Sequence, residues 1–515
     1  MVHVTRRELL KGVAALGAAA ALPDPRPRSA DAQTTQKREL VVAQGGDVSK
    51  FDPHFSTSSN DIRVSFNIFD NLVSRHPDGK LHPGLATEWK LTAPTTWTFK
   101  LRSGVKYHNG DAFTSADAKF SIERTYDPNS KTMVATTLTT IDRIEAPDTV
   151  TLIIHTKKPD PLLPARLAFY GGQIVPSKHV EAVGNDAFNA KPVGTGPVRF
   201  VSWVKDDKLV LEANPDYWGG RVDMDRLVVR AIPETAPRIA ALLKGEVDII
   251  TQLPPDQGER VAGNASTRVA GALYAGLYVL AVNSKRPPLD SPLVKQALSL
   301  AIDREAIVKE LWRERGVVPN GPIARGDNHY DAKLAPLAYN PGAARDLLKK
   351  AGYKNEEIFI ETTVAYVSND KQMAEAIQGM WKDVGINVNV EVIEYSVRAQ
   401  KNREKSFKGV FWSDPTSTLG DPDGMMWRLL GPGGPQDYWR HPRWDELGNA
   451  ARFSVDEKFR AEAYREMTTI FLEHFPWLPV IQPYEDYGLQ KHVEWTPNPN
   501  QQFEIRRFNF KFKRA

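Results

Sequence analysis

One segment of the sequence places aromatic rings close to a carboxylate. Phe411 and Trp412 precede Asp414, and Asp421 follows in the same segment. An aromatic ring can stack on the flat part of a ligand, and a carboxylate can accept a charge-assisted hydrogen bond from an ammonium group. These residues therefore form a candidate binding site for an amine. Residues 421–424 (Asp-Pro-Asp-Gly) also have the composition of a simple turn, so both interpretations stay open for Asp421.

The motifs of the common enzyme classes are absent from the sequence. There is no Gly-x-Ser-x-Gly, His-Glu-x-x-His or Gly-x-x-x-x-Gly-Lys-Ser/Thr pattern. Residues 194–197 (Gly-Thr-Gly-Pro) lack the lysine of a phosphate-binding loop, which favours a tight turn before a strand. The two closest histidines, His76 and His82, do not have the i, i+4 spacing of two metal ligands on one helix face. These absences weigh against catalysis and give no support for a metal ion or another cofactor.

The composition excludes several further classes. The chain contains 0 cysteines, which excludes disulfides, thiolate metal sites, a cysteine nucleophile and a lipid-accepting cysteine. The 67 basic and 63 acidic residues leave a nearly neutral surface, so we expect no nucleic-acid partner.

The first 32 residues have the pattern of a twin-arginine export signal. Arg6 and Arg7 precede a short apolar stretch at residues 12–22. A helix needs about 20 apolar residues to span a bilayer, so this stretch is too short to be a membrane anchor. Residues 30–32 (Ala-Asp-Ala) suit a leader peptidase, so we expect cleavage after Ala32. The alternative is an ordinary cytoplasmic N-terminus that happens to contain two arginines. The signal predicts a periplasmic protein that is not membrane-anchored, and we expect a monomer.

Residue periodicity predicts an α/β protein with more than one lobe. About 480 residues follow the signal, which is more than one hydrophobic core usually holds. Trp97, Phe99 and Leu101 alternate with polar residues as in a half-buried strand, and residues 114–117 fit a helix capping box. Later segments repeat a helix, a glycine and a strand. In residues 340–352 Asn340 can cap the helix and Gly352 ends it, and residues 373–392 follow the same pattern.

The C-terminal residues are basic, but they also alternate with aromatic residues. Phe508, Phe510 and Phe512 are separated by polar residues. This alternation predicts a closing strand with one face in a core rather than a nucleic-acid or membrane tail.

Several short motifs, taken in order along the chain, resemble the extracytoplasmic solute-binding proteins of family 5, which serve peptide, nickel and opine ABC importers. The motifs are at residues 85–89, 97–102, 104–110, 113–117, 193–197, 214–218, 243–248, 296–304 and 344–353. The resemblance implies an α/β, two-lobed periplasmic binding protein fold of type II, large with an extra subdomain, with mixed sheets and a hinge.

The resemblance also implies domain bounds and a mode of action. It places the first lobe at residues 33–278 with a small subdomain at about 65–185, the second lobe at 279–479, and a return to the first lobe at 480–515. Such a protein binds a solute by lobe closure and presents it to the permease subunits of an ABC importer. No bond is made or broken, so the protein is expected not to be an enzyme.

The same resemblance orders the candidate ligand contacts. Peptide binders of the family hold the ligand amine with an aspartate near this segment, so Asp414 is the first candidate and Asp421 the second. Trp427 and Tyr366 are weaker candidates for pocket walls, with the hydrophobic core as the alternative. Dipeptide binders place a carboxylate-binding arginine before the helix that begins near Met373. Residues 364–366 (Val-Ala-Tyr) stand there instead, which predicts another peptide length or a non-peptide solute.

Two functions from other classes remain as alternatives. One is an exported hydrolase whose site is assembled from dispersed carboxylates. The other is a periplasmic chaperone that uses the same cleft for unfolded segments.

Overall fold

The computed structural model describes residues 38–513, apart from positions 136 and 365. The predicted export signal at residues 1–32 lies outside this described part. Among the described residues, no helix combines the length and the apolar character needed to cross a membrane.

The strands of the described part alternate with helices along most of the chain. The strands are β1 (Glu39–Gln44), β2 (Val73–Arg75), β3 (Leu81–Pro83), β4 (Ala86–Ala93), β5 (Thr96–Leu101), β6 (Ile141–Asp148), β7 (Thr151–Thr156), β8 (Val198–Val204), β9 (Lys208–Ala213), β10 (Arg226–Ala231), β11 (Ile249–Ile250), β12 (Thr267–Leu273), β13 (Tyr278–Val282), β14 (Gly316–Val317), β15 (Ile358–Thr362), β16 (Val388–Val392), β17 (Val410–Ser413), β18 (Trp477–Gln490), β19 (Val493–Trp495) and β20 (Phe510–Phe512).

The α-helices are α1 (Ser59–Ile68), α2 (Ser115–Tyr126), α3 (Leu163–Leu167), α4 (Ser177–Val183), α5 (Asn185–Ala190), α6 (Thr235–Leu243), α7 (Gly258–Ala262), α8 (Pro292–Leu300), α9 (Arg304–Ala306), α10 (Pro341–Ala351), α11 (Asp370–Asp383), α12 (Tyr395–Glu404), α13 (Arg428–Leu430), α14 (Pro442–Arg452) and α15 (Glu457–His474). Short 3-10 turns lie at Pro128–Ser130 and Pro255–Gln257, and π-helical turns lie at Ile307–Leu311 and Asp423–Trp427.

The main sheet is mixed and contains strands from most of the chain. Its order is β16-β15-β17-β13-β18-β11-β1-β10-β9-β8, and β12 and β14 also pair with β18. β1 runs parallel to β10 and β11, whereas β9 is antiparallel to β10. A separate sheet has the order β4-β5-β7-β6, and two smaller sheets pair β2 with β3 and β19 with β20.

Strand β18 lies in the middle of the main sheet and joins its two halves. Its first residues pair with β13, from Trp477 to Ile481, and its later residues pair with β12, from Tyr484 to Gln490. The chain crosses between the same two parts of the sheet a second time, between the end of β12 and the start of β13. Two neighbouring crossings of this kind have the arrangement of a hinge.

The apolar side chains pack into separate cores on the two sides of these crossings. Core A contains residues from 40–249 and 487–510, and core B contains residues from 72–174. Core C contains residues from 274–481 and includes the rings of Trp381, Trp444 and Trp477, which are all 0% exposed. Helices therefore cover sheet faces in more than one layer, as the sequence periodicity predicts.

The helix signals in the sequence are confirmed by the caps. The Thr114 backbone N–H donates to Asp117 Oδ2 at 2.9 Å, which closes the predicted capping box at α2. Asn340 Oδ1 accepts from the Ala343 N–H at 2.9 Å at the start of α10. Gly352 ends that helix with φ of 70°, a left-handed conformation that glycine adopts without strain.

Residues 194–197 form a turn before β8 and lie against the end of α1. A Cβ on Gly194 would come within 2.0 Å of the Ile68 carbonyl oxygen. The glycine is therefore required for close backbone packing, which agrees with the turn interpretation rather than with phosphate binding.

The closing strand is shorter than the aromatic alternation predicts. β20 begins at Phe510 and pairs with β19, whereas Phe508 lies outside it and is 50% exposed. The ring of Phe508 instead stacks on His76 with a centroid distance of 3.8 Å. A contact with a residue so distant in the sequence has no signature in the local alternation.

Candidate ligand-binding site

Asp414 directly follows β17 and lines a cavity of about 220 Å³, which we call the Asp414 cavity. The side of the molecule that contains core C supplies one wall, with Thr416, Thr418 and Arg428. The opposite wall comes from the side of cores A and B. Its residues are Thr57, Ser59, Ile62, Phe169, Tyr170, Asn500, Gln501 and Gln502, and Tyr274 lies at the crossing.

The position of Asp414 follows from the burial of the preceding strand. β17 pairs with β13 on one side and with β15 on the other, and all four of its residues are buried. The chain leaves the sheet after Ser413, so Asp414 is the first residue whose side chain is half-buried. A carboxylate therefore emerges at the end of an interior strand.

A tyrosine and two arginines set the electrostatics of Asp414. The Tyr366 hydroxyl donates a hydrogen bond to Asp414 Oδ1. Burial raises the pKa of the Asp414 carboxyl above its usual value, and this hydrogen bond and then the charges of Arg398 and Arg428 offset only part of that rise. The Arg398 guanidinium also lies 3.3 Å from the centroid of the Tyr366 ring. The site thus holds a carboxylate that is already oriented and can accept an ammonium group.

The other aromatic candidates lie in core C. Phe411 and Trp412 are both 1% exposed, and Phe411 stacks on Phe407 with a centroid distance of 3.7 Å. Trp427 is 4% exposed in the same core. The structure brings Tyr366 and Asp414 together but does not place these three rings on the Asp414 cavity, so their contact with a ligand stays a prediction.

Asp421 forms a buried ion pair. Its Oδ2 accepts from Arg460 Nη2 at 2.6 Å, and both side chains are 1% exposed. The Asp423 N–H donates to Asp421 Oδ1 at 3.0 Å, as in an Asx turn. These contacts agree with the turn interpretation, and Asp421 as a ligand contact stays a prediction.

Three other residues of the Asp414 cavity were not predicted from the sequence. Tyr170, Tyr274 and Asn500 line the Asp414 cavity, and the Tyr274 hydroxyl is hydrogen-bonded to Thr416. These residues come from segments far apart in the chain that meet only through the crossings of the main sheet. No local motif marks them, so the sequence carried no signal for them.

Polar and apolar contacts join the two sides of this cleft. Arg166 on α3 donates from Nη2 to Asp423 Oδ2 at 3.0 Å, and from Nε to Asp160 Oδ2 at 3.0 Å. The exposed fractions of the Arg166, Asp160 and Asp423 side chains are 10%, 2% and 3%. Leu162, Ala165 and Leu419 form a small apolar cluster beside this bridge. The structure therefore has the two sides in contact.

Two further cavities lie near the Asp414 cavity. One, of about 410 Å³, is lined by Arg75, Arg325 and Asp327, and we call it the Arg325 cavity. The other, of about 470 Å³, contains Glu504 and is lined only by residues at 66–84, 168, 217–219 and 502–508. Within the described residues, no group of three or more His, Cys, Asp or Glu side chains could hold a metal ion.

The family model for bacterial extracellular solute-binding proteins, family 5 middle, matches residues 80–437. The chain belongs to this family. The expected resemblance is thereby confirmed over most of the sequence.

This solute-binding protein has relatives of similar length. It is 28% identical over 494 residues to di/tripeptide-binding protein 2 of Pseudomonas aeruginosa strain UCBPP-PA14, which covers 89% of this chain and 92% of that protein. It is 29% identical over 454 residues to heme-binding protein A of Haemophilus influenzae, covering 81% and 82%. The solved structure of the periplasmic binding protein DppA from Helicobacter pylori, in complex with the peptide STSA, superposes with a TM-score of 0.79 at 25% identity, covering 93% and 99%.

The comparisons confirm the two-lobed α/β fold and the solute-binding function. The family consists of substrate-binding proteins, which does not favour the hydrolase and chaperone alternatives. No comparison tests the lobe bounds or the individual ligand contacts, which stay predictions.

Proposed function

We propose that this solute-binding protein is the periplasmic receptor of an ABC importer and captures a peptide or another small organic solute that carries an amine. The observation that carries the proposal is the half-buried Asp414 carboxylate, oriented by Tyr366, in a cavity between two sets of cores. The name of the di/tripeptide-binding relative supports the amine, since a peptide has an N-terminal ammonium group, and the name of the heme-binding relative supports only a small organic solute.

Ligand capture would proceed by closure of the two lobes around the Asp414 cavity. We propose the first lobe at residues 33–278, with its subdomain at about 65–185, the second lobe at 279–479, and the return at 480–515. The separation of cores A and B from core C supports these bounds. A ligand that contacts both walls stabilises the closed form, and the permease subunits then recognise that form. The chain itself catalyses no reaction in this proposal.

The proposed route to the periplasm is the twin-arginine pathway, with cleavage after Ala32. Arg6, Arg7 and the short apolar stretch at residues 12–22 support it. After cleavage the protein acts as an unanchored monomer.

Native mass spectrometry of protein purified from its own periplasm tests the proposal, because a closed cleft retains its ligand. We expect an adduct with an amine group, which Asp414→Ala releases and the exposed control Asp346→Ala keeps. The identified compound is then titrated by calorimetry. A protein that carries no adduct, binds no peptide or small amine, and converts a substrate would refute the proposed function.

A further inference from the structure

The cavity of about 470 Å³ that contains Glu504, which we call the Glu504 cavity, lies outside the cleft. Its lining residues, at 66–84, 168, 217–219 and 502–508, all come from the side of cores A and B, whereas the Asp414 cavity has walls from both sides. Its volume is within the range of roughly 300–1,000 Å³ that is typical of small-molecule sites. The walls of the Glu504 cavity are therefore complete without lobe closure.

Asp70 holds the polar wall of the Glu504 cavity in place. Its carboxylate accepts hydrogen bonds from Trp218 Nε1 at 2.8 Å and from the Tyr217 hydroxyl at 3.1 Å. Arg506 Nη2 donates to the same carboxylate at 3.2 Å and to the Phe66 carbonyl oxygen at 2.6 Å. Asp70 and Arg506 are thus already used by protein contacts, and the two rings are oriented before a ligand arrives.

Glu504 is a carboxyl of this cavity that is much less well compensated. Its side chain is 4% exposed, and Oε1 is buried without a hydrogen-bond partner among the described residues. Arg506 Nε lies 3.8 Å from Oε2, which is beyond hydrogen-bond distance. Burial raises the pKa of Glu504 to about 7, although the charge of Arg506 and the amide of Asn498 oppose that rise. A buried carboxyl in this state gains from a ligand that donates a hydrogen bond and carries a positive charge.

The cationic side chains of the cavity offer a weaker anchor for an anion. Arg75 donates to the Gly79 and Leu419 carbonyl oxygens, at 2.7 and 2.8 Å. Burial lowers the pKa of His76 to about 4, so this imidazole is uncharged at neutral pH. Arg507 is exposed and has no ion pair within the described residues. Because water screens an exposed guanidinium, a carboxylate at Arg507 gains less than an ammonium group at the buried Glu504.

Aromatic rings supply the apolar walls of the Glu504 cavity. Phe66, Tyr217, Trp218 and Phe508 all line it. Phe508 is 50% exposed, and its ring stacks on His76 with a centroid distance of 3.8 Å. A flat ligand ring can stack on such aromatic side chains. The cavity therefore combines a poorly compensated carboxyl with walls that suit an aromatic group.

We propose that the Glu504 cavity is a second binding site, separate from the cleft, for a small aromatic amine. The ammonium group of the ligand pairs with Glu504, and its ring lies among the aromatic walls. Such a ligand binds without lobe closure and without Asp414. The inference does not depend on the proposed function, which concerns the cleft.

Calorimetry with three probes that share one ring tests the inference: tryptamine, the alcohol tryptophol and indole-3-acetate. The titrations use Asp414→Ala, so that the carboxylate of the cleft does not contribute to amine binding. We expect tryptamine to bind at least about tenfold more tightly than the other two, because only tryptamine brings an ammonium group to Glu504. Adding Glu504→Gln should remove this preference. Adding Glu181→Gln, at an exposed glutamate outside the cavities described above, should keep it.

A second variant tests the space rather than the charge. Ser74 is half-buried on β2 and lines the Glu504 cavity but neither of the other two, so Ser74→Phe fills this cavity alone. The variant should lose tryptamine binding, and circular dichroism with thermal unfolding checks that it is folded.

The outcomes separate this site from the cleft. Equal affinity for the three probes, or a preference for tryptamine that survives Glu504→Gln, would overturn the inference. Tighter binding of indole-3-acetate would identify Arg507 as the anchor and would also overturn it. Tryptamine binding that is present in the wild type and lost in Asp414→Ala would assign the probe to the cleft, again against the inference. None of these results decides which solute the cleft captures, which native mass spectrometry tests separately.

Discussion

The bridge between Arg166 and Asp423 gives a direct test of lobe closure, through the substitution Arg166→Met. Methionine retains much of the side-chain volume but removes the charge that faces both carboxylates. Asp160 keeps hydrogen bonds from the Thr140 hydroxyl at 2.6 Å and the Leu162 N–H at 3.1 Å. Among the described residues, the cation that remains near Asp423 is the more distant Arg452, whose Nε lies 3.6 Å from Asp423 Oδ1. The substitution therefore leaves Asp423 poorly compensated in the closed form.

The magnitude follows from the burial of the pair. Burial raises the pKa of Asp423, and the charge of Arg166 is the largest opposing effect. Breaking a buried ion pair by removing one partner costs about 3–5 kcal/mol. In an open form, water surrounds Asp423 and that cost disappears. The substitution therefore makes lobe closure less favourable and leaves the open form unchanged. We expect the dissociation constant of the ligand to rise by roughly a hundredfold or more.

Calorimetry with the ligand identified by native mass spectrometry measures this effect, and small-angle scattering reports the closed fraction. The double variant Arg166→Met with Asp423→Asn should bind more tightly than Arg166→Met alone, because the isolated buried charge is gone. Arg143→Met is the control, since Arg143 is 59% exposed and its pair with Glu145 contributes little. Wild-type affinity in Arg166→Met would refute the role of this bridge in closure.

Three further perturbations have defined outcomes. Asp414→Ala should weaken an amine-bearing ligand by about 1.5–3 kcal/mol by calorimetry, and Tyr366→Phe by less; unchanged affinity in Asp414→Ala would remove that residue from the site. Burial raises the pKa of Glu504 to about 7, above its ordinary 4.5. Between these two pKa values the folded protein therefore binds more protons than the unfolded chain, and its stability falls as the pH rises. In urea unfolding, Glu504→Gln should lose less stability between pH 5 and pH 8 than the wild type does. Equal losses in the two proteins would contradict the raised pKa of Glu504. Replacing Arg6 and Arg7 by lysines should leave the precursor in the cytoplasm on fractionation, whereas normal export would argue against the twin-arginine route.

Local structure was predictable wherever one short segment contains all the information. The caps at Thr114 and Asn340 and the stop at Gly352 depend on backbone groups within a few residues, so residue types are enough to place them. Asp414 was predicted because it follows two aromatic residues and because the family resemblance places an amine-binding aspartate there, and the structure adds that it follows a buried strand.

The other residues that line the Asp414 cavity could not be predicted in the same way. Tyr170, Tyr274 and Asn500 reach the cavity only because β18 brings distant parts of the chain together. The burial of Phe411 and Trp412 in core C could not be predicted either. β17 is an interior strand covered on both faces, so its rings face the core whichever side they point to, and the sequence pattern does not distinguish that from a pocket wall.

The late position of strand β18 in the chain also determines when the cores can form during synthesis. Core A needs residues 487–510 and core C needs residues up to 481, although both cores begin hundreds of residues earlier. A chain emerging from the ribosome therefore cannot complete either core until translation is nearly finished. Under the proposed twin-arginine export, which carries folded proteins, the hinge would be assembled in the cytoplasm, and the two proposed lobes would cross the membrane as one joined body.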